Sequence, residues 1–480
     1  MEHLGEKCAV FGIYGKGLDV ARLSFFGLFA LQHRGQESSG ITVGDGSRLL
    51  SHRGMGLVSA AYNEEHLKRL QGHVAIGHNR YSTSGSSLLT HAQPVVIDEV
   101  KFPQVDQFHE DGETGTVSLA HNGNLPSVLA LIEFLKDTGV RLEDRSDSEL
   151  MAEAIAQGVK NGKSLPEAVK AVLPLFTGAY AIVVMTPTML VAVRDSFGMR
   201  PLSVGKINGG FAVASESCAF QAMGAEFLRE VEPGEMLVID EEGLRAEQVM
   251  APNPKLDIFE FVYFARPDSI LSGQLVYNVR RNSGTELAKE VKIEADMVVP
   301  VPETAMPVAI GYSQASGIPL EMALVKNRYI HRTFIEPEQH VRDLGVKLKL
   351  TPLAPVLKGK KVIVMDDSIV RGTTSRQLIK AFFDSGAAEV HFLISSPPVK
   401  FPDYYGIDTP KQSNLIASHK SIEEIRQFLG ATSLHFLSLD GLVRATGLSR
   451  DVLSTSCFTG EYPIDLCERS ADVTYDVPKD

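Results

Sequence analysis

The run from Lys360 to Ser375 constrains the fold more than any other stretch of the chain. Val362 to Met365 are four consecutive apolar residues, mostly β-branched, the pattern of a strand buried on both faces in a parallel sheet. Asp366 and Asp367 stand at its carboxyl end. Ser368, Ile369, Val370, Arg371 and Gly372 make a short loop, and Thr373 and Thr374 lead into Leu378, Ile379, Phe382 and Phe383 at helical spacing. Gly386 is placed as the stop. Strand, loop and helix N-terminus in this order bind anions, because free backbone N–H groups and the helix dipole converge on the loop. The hydroxyls of Ser368, Thr373 and Thr374 can donate to a phosphate, and Gly372 permits close backbone approach. The two aspartates can accept hydrogen bonds from sugar hydroxyls or hold Mg²⁺; alone, such a pair also reads as a solvated cap of the next helix. Neither G-x-x-x-x-G-K-[ST] nor G-x-G-x-x-G follows a strand, so this is not a P-loop or a dinucleotide fingerprint.

The rest of the chain divides at a break. Cys8 to Tyr14 reads as a buried strand, and Val20, Leu23, Phe26 and Leu31 as a helix. Strands joined by an Asp45-Gly46 hairpin turn follow. Ser146 with Glu149 forms a capping box that opens a helix to about Val159, and Ser164 with Glu167 opens another. Ala179–Met185 and Met189–Val193 return to strand. Ala251-Pro252-Asn253-Pro254 then interrupts all periodicity. Beyond it, apolar strands at Met297–Val301, Val362–Met365 and Val390–Ile394 alternate with helices, which means a parallel sheet. Two domains are expected, strand-rich α+β first and α/β second. At 480 residues, each has enough chain for its own core.

Charge and cysteine content exclude several classes. A net charge of −12 argues against a nucleic-acid or membrane-surface protein. No stretch of 18 or more apolar residues and no signal-peptide pattern occurs. Cys8, Cys218, Cys457 and Cys467 lack C-x-x-C spacing and suit a reducing cytoplasm.

Cys8 on its own reads as a core residue. Its company changes that. Cys8-Ala-Val-Phe-Gly-Ile, Leu31-Gln-His-Arg-Gly-Gln-Glu-Ser-Ser-Gly-Ile, Gly77-His-Asn-Arg-Tyr-Ser-Thr and Ala120-His-Asn-Gly-Asn-Leu occur in that order. Together they resemble the glutaminase domain of N-terminal-nucleophile amidotransferases. Asp366–Thr374 resembles the 5-phosphoribosyl-1-pyrophosphate (PRPP) signature of type I phosphoribosyltransferases. The two in one chain, with Arg194-Asp-Ser-Phe-Gly, Phe259–Ser269 and Lys326-Asn-Arg-Tyr, resemble the glutamine PRPP amidotransferase family from about Cys8 to Gly460.

The resemblance implies an α+β N-terminal-nucleophile hydrolase sandwich at residues 8–240 and an α/β type I phosphoribosyltransferase domain at 258–480. Residues 1–7 are expected to be a propeptide, whose removal gives Cys8 an α-amino group, of pKa about 8, as its own base. Asn122 and the N–H of Gly123 are expected to form the oxyanion hole, Arg80 to clamp the glutamine α-carboxylate, and Asp147 to take its α-amino group. The acidic pair would hold the ribose hydroxyls of PRPP and Ser368, Ile369, Val370, Arg371, Gly372, Thr373 and Thr374 its 5-phosphate. Thr304, after the strand ending at Pro300-Val301-Pro302, would join Asp366 and Asp367 around Mg²⁺. Lys326, Arg328, His331 and Arg332 would open a basic loop, running to Lys349, that closes over PRPP. Ammonia would cross an internal channel to C1 of the ribose, giving 5-phosphoribosylamine, glutamate and pyrophosphate, the first step of de novo purine synthesis. A cytoplasmic homotetramer inhibited by purine nucleotides is implied as well, with Lys326 and Arg328 as contributors.

The chain departs from the family at one place. Some members carry a [4Fe–4S] cluster on four cysteines; here Cys218 and Cys457 sit in matching contexts, while Asp403 and Ser454 take the other two positions. No iron–sulfur cluster is expected. Residues 99–115 read as an acidic surface insertion without a functional account. The alternative reading is a PRPP- or nucleotide-sensing regulator, which would not need Cys8, Arg80, Asn122, Gly123 and Asp147. A glutaminase feeding a different sugar phosphate would share the first domain only.

Overall fold

The computed structural model describes residues 8–81, 89–97, 116–327, 350–406 and 411–478. The N-terminal unit stacks two antiparallel sheets. The first is built from β1 (Ala9–Tyr14), β2 (Ser38–Gly44), β3 (Leu49–Met55), β4 (Val74–Arg80), β9 (Ser203–Ile207), β10 (Gly210–Ala214) and β11 (Glu226–Glu230) in the order β11-β9-β10-β1-β4-β2-β3. The second contains β5 (Val95–Ile97), β6 (Val117–Ser127), β7 (Thr177–Thr186), β8 (Met189–Arg194), β12 (Glu235–Asp240) and β13 (Gly243–Gln248) in the order β13-β12-β8-β7-β6-β5.

Strand alternation explains the stacking. Val10 and Tyr14 of β1 pack against Ala120, Ala181 and Val183 of the second sheet. Ala9, Phe11 and Ile13, on the opposite face, pack against the helix Val20–Ala30. The outer face of the second sheet is covered by the helices Asp147–Lys160 and Leu165–Val172. Both expected capping boxes are formed. The result is a helix–sheet–sheet–helix sandwich.

Two expectations change here. In the helix Val20–Ala30 the buried face is Val20, Ala21, Ser24, Gly27 and Leu28, and Phe26 is 42% exposed. The reason is Gly27: a Cβ there would lie 2.4 Å from the Phe11 ring, so that ring seats on bare helix backbone and sets the rotation. The first sheet-forming unit also continues past residue 240. A tight turn after Asp240 returns the chain as β13, paired with β12 from Asp240↔Gly243 to Glu235↔Gln248.

The C-terminal unit is a parallel sheet of Met297–Pro300, Lys361–Asp366, Glu389–Ile394 and Ser433–Phe436, in that order. Both faces are buried, as the unbroken apolar runs require. Val298, Ile363, Met365 and Leu393 face Val276, Val279 and Leu287 of the helix Val276–Glu290. Val299, Val362, Val364 and Phe392 face Leu378, Ile379 and Phe382 of the helix Thr373–Asp384. Fully burying a side chain such as Phe382 stabilises the fold by about 1.5–3 kcal/mol. Among the described residues, no helix is long and apolar enough to cross a membrane.

Candidate active sites

Cys8 precedes β1, and β1 pairs with β4 through Ala9↔Asn79, so Cys8 and Arg80 lie at the same end of two adjacent interior strands. The Cys8 sulfur is 3.7 Å from the Tyr81 carbonyl oxygen. Burial pushes its thiol up to about 11, against the nearby positive charge of Arg80, while Asp147 and Glu37 add to the rise. Asn122 of β6 is wholly buried, yet neither its amide nitrogen nor its amide oxygen has a partner. Arg80 Nη1 is buried and unpartnered too. Buried polar groups are normally satisfied. Two orphaned donors beside a thiol are what a polar ligand would complete.

Gly123 has φ +152°, and a Cβ there would sit 2.0 Å from the Ala179 carbonyl oxygen, so only glycine fits. Asp147 opens its helix as the first residue after the Ser146 cap, and its Oδ2 accepts from Leu125 N at 3.2 Å. Sequence reasoning missed what holds this end together. His78 Nε2 lies 3.0 Å from the carbonyl of His121, a link across the sandwich, and burial holds His78 down to about 3 and therefore neutral. His121 Nδ1 is 3.0 Å from Ser148 Oγ and 3.7 Å from Asp147 Oδ2. Both histidines directly precede asparagines in the two quoted motifs, the one signal that singled them out.

At the second site, Asp366 and Asp367 end their strand and are both buried. Burial and the charge of its neighbour raise Asp366 well above the usual carboxylate range. Burial raises Asp367 to about 6, opposed by the Ser368 hydroxyl, the Arg280 charge and the Thr304 hydroxyl. Ser368 Oγ donates to Asp367 Oδ1 at 2.7 Å. Gly372 caps the helix Thr373–Asp384 with φ +79°, and Arg371 and Thr373 are exposed beside it. Ile369 and Val370 bury their side chains in the cores on opposite sides of the sheet. They anchor the loop and offer a ligand only backbone. Lys326 Nζ lies 3.7 Å from Glu303 Oε1, at the Thr304 turn. Arg328, His331 and Arg332, the loop to Lys349, residues 1–7 and the insertion 99–115 lie outside the described residues.

A partly open pocket of about 250 Å³ is lined by His33, Arg34, Tyr263, Arg280, Glu303 and Thr304, among others. Arg34 is buried and joins the units. Its Nε donates to the Cys8 carbonyl at 3.3 Å, its Nη1 to Glu216 Oε1 at 2.5 Å, and its Nη2 to Glu260 Oε1 at 2.9 Å. Burial alone would raise the Glu216 carboxyl, but His33 and Arg34 hold it well below the usual range. Arg34 and Glu260 stand inside quoted motifs, though nothing in the sequence joins them.

The positions compared with a cluster site do not form a thiolate set. Cys218 lies with Glu216, 3.8 Å from its Oε2. Cys457 instead has Asp257 and Asp403 acting on its thiol, and Asp257 pairs in register with Ser454. The fourth neighbour is therefore Asp257 and not Cys218. Asp403 is spent on Arg200, 3.3 Å from its Nη2. Among the described residues, no three His, Cys, Asp or Glu side chains are grouped to hold a metal ion. Asp366 and Asp367 fit a cation that takes its remaining ligands from a bound phosphate and water.

A glutamine amidotransferase domain model matches residues 98–222. The amidophosphoribosyltransferase of Synechococcus elongatus is 45% identical over 468 residues, covering 96% of this chain and 92% of that protein. The solved glutamine PRPP amidotransferase of B. subtilis, complexed with ADP and GMP, superposes with a TM-score of 0.85 at 41% identity, covering 98% of this chain and 99% of the other. A structure described as the allosteric regulatory enzyme of purine biosynthesis superposes with a TM-score of 0.87, also at 41% identity, and covers 98% of both chains.

Proposed function

The chain belongs to the amidophosphoribosyltransferase family, and from that premise we propose how its residues divide the work. A glutaminase of the N-terminal-nucleophile type precedes a type I phosphoribosyltransferase. The enzyme transfers ammonia from glutamine to C1 of PRPP, giving 5-phosphoribosylamine, glutamate and pyrophosphate, in purine biosynthesis. The sensing-regulator alternative falls away.

The observation that carries the division of labour is the pocket. Arg34, which touches the Cys8 carbonyl, and Thr304, hydrogen-bonded to Asp367, both line it. We infer that ammonia freed at Cys8 passes by way of this pocket to the ribose.

At the first site, residues 1–7 are removed and the freed amine of Cys8 takes the thiol proton. A base is needed because burial otherwise keeps the sulfur protonated at neutral pH. The thiolate attacks the glutamine side-chain carbon, Asn122 and the Gly123 N–H stabilise the oxyanion, and ammonia leaves with the proton returned by the amine. Water then hydrolyses the thioester to glutamate. Arg80 holds the α-carboxylate through its unpartnered Nη1, and Asp147 holds the α-amino group.

At the second site, Asp366 and Asp367 take the ribose hydroxyls. The loop from Ser368 to Thr374 takes the 5-phosphate on its hydroxyls, its backbone N–H groups and the helix N-terminus. Mg²⁺ on Asp366, Asp367 and Thr304 would neutralise the departing pyrophosphate. Lys326 adds a cation beside the same turn, and Arg332 is assigned to PRPP with it. Purine nucleotides inhibit by competing for this phosphate cradle. We assign a cytoplasmic homotetramer, with unit boundaries at residues 7, 240 and 258 adjusted for the β13 hairpin.

Replacing Cys8 by Ala tests the division. Glutamine-dependent release of pyrophosphate is expected to vanish and ammonia-dependent release to survive. Equal loss of both contradicts separate sites.

A further inference from the structure

The loop after the strand Glu389–Ile394 leaves the parallel sheet and ends against β6, where the first site's oxyanion hole is assigned. Asn124 Nδ2 donates to the Tyr404 carbonyl at 2.8 Å. Gly406 has φ +111°, and a Cβ there would sit 2.9 Å from Gly123 Cα. Tyr405 is wholly buried and packs with Ala179 and Met199 of the N-terminal unit. Ala179 is the residue whose carbonyl oxygen leaves no room for a Cβ at Gly123. Gly123 is thus held between β7 and a loop of the C-terminal unit.

That loop is itself fixed by one buried side chain. Arg200 donates from Nε to the Tyr405 carbonyl at 2.6 Å, from Nη1 to Asp257 Oδ2 at 3.0 Å and from Nη2 to Asp403 Oδ1 at 3.3 Å. Asp403 Oδ1 also accepts from Tyr405 N at 2.8 Å, and the Tyr405 hydroxyl donates to the Ile464 carbonyl at 2.5 Å. Lys400 N and Phe401 N both donate to the Cys457 carbonyl. A fully buried arginine with two buried carboxylates is costly to desolvate and adds little net stability over an apolar cluster. Its return is a defined geometry.

We propose that Tyr404–Gly406, anchored by Arg200, is a positioning element of the glutaminase site, lent by the phosphoribosyltransferase unit. It sets the peptide of Gly123 at the angle the oxyanion hole needs. The proposal rests on the assignment of Asn122 and Gly123 as that hole. It also makes the glutaminase incomplete without the C-terminal unit, so hydrolysis of glutamine is tied to the unit that consumes its ammonia.

Gly406→Ala tests it in the full-length enzyme. The new methyl pushes on Gly123 Cα in a backbone conformation that L side chains rarely adopt. A misplacement of about 1 Å in a catalytic group costs on the order of 10²-fold in rate. Glutamine-dependent kcat is therefore expected to fall roughly 10²-fold, with KM for glutamine within about twofold, because Arg80 and Asp147 are untouched. Ammonia-dependent kcat is expected to hold. Asn124→Ala, which removes only the bond to Tyr404, serves if the first variant does not fold, and is expected to show the same split at roughly a tenth of the size. Equal losses with glutamine and with ammonia, or no loss in either variant, would overturn the proposal. Asn122→Ala separates the two levels. If it leaves glutamine-dependent kcat intact, the oxyanion assignment is wrong; if it costs about 10²–10³ while Gly406→Ala and Asn124→Ala are silent, only the positioning role is wrong.

Discussion

Arg34 and Glu260, buried completely and from different units, meet in a two-pronged ion pair, with Nη2 at 2.9 Å from Oε1 and Nη1 at 3.1 Å from Oε2. The same guanidinium reaches the Cys8 carbonyl and Glu216. Removing Glu260 leaves the buried guanidinium with Glu216 alone, and removing Arg34 takes the cation from both buried carboxylates. Glu260→Ala is therefore expected to cost up to roughly 3 kcal/mol in urea unfolding, and Arg34→Met, which leaves Glu216 and Glu260 buried without that cation, roughly 3–5 kcal/mol. Glu216 adds a pH signature. Its folded pKa is depressed, so its contribution is complete above the usual glutamate value of about 4.5 and is lost as pH falls below it. Acid unfolding of the wild type is expected to begin there, and a Glu216→Gln variant to show a flatter profile below it.

The thiol of Cys8 gives a second prediction. With residues 1–7 in place, burial holds its pKa up to about 11. The thiolate fraction then rises about tenfold per pH unit through neutrality, and alkylation by iodoacetamide should rise with it up to that value. A chain that starts at Cys8 carries an amine of pKa about 8 on the same residue, so its alkylation should level off near that pH. Identical profiles for the two forms would remove the amine from the mechanism.

The aspartate pair predicts a trade of stability against activity. Burial raises both carboxyls and the Asp367 charge raises Asp366 further, so ionising them at neutral pH strains the ligand-free fold. Asp366→Asn is expected to raise the melting temperature of ligand-free protein by a few degrees, in line with relief of about 1 kcal/mol. It should also abolish turnover with glutamine and with ammonia alike. Melting temperature and both assays on one preparation check this, and a fall in melting temperature would contradict it.

Much of this arrangement is legible in sequence, and the reasons are local. Val362–Met365 has no polar break, so it could only be an interior strand, and the acidic pair then had to lie at the ligand end of a parallel sheet. Ser146 and Glu149 announce their helix because capping chemistry acts over three residues. Cys8, Arg80 and Asn122 are proposed from their motifs, and the latter two carry buried unpartnered atoms. What stayed hidden depends on distant partners. Phe26 looked like a core residue until Gly27 and Phe11 set the rotation of the helix. Cys218 and Cys457 looked like a pair, but Asp257 takes that place because it pairs with Ser454. Neither Arg34 with Glu260 nor Gly406 with Gly123 leaves a periodic trace, since each contact joins segments that only the docked units bring together.

The most direct test of the central claim is the stoichiometry of full-length enzyme given glutamine, PRPP and Mg²⁺. Two sites that pass ammonia from one to the other predict glutamate and pyrophosphate in equal amounts throughout the time course. Glutamate accumulating while PRPP stays unconsumed would contradict the account.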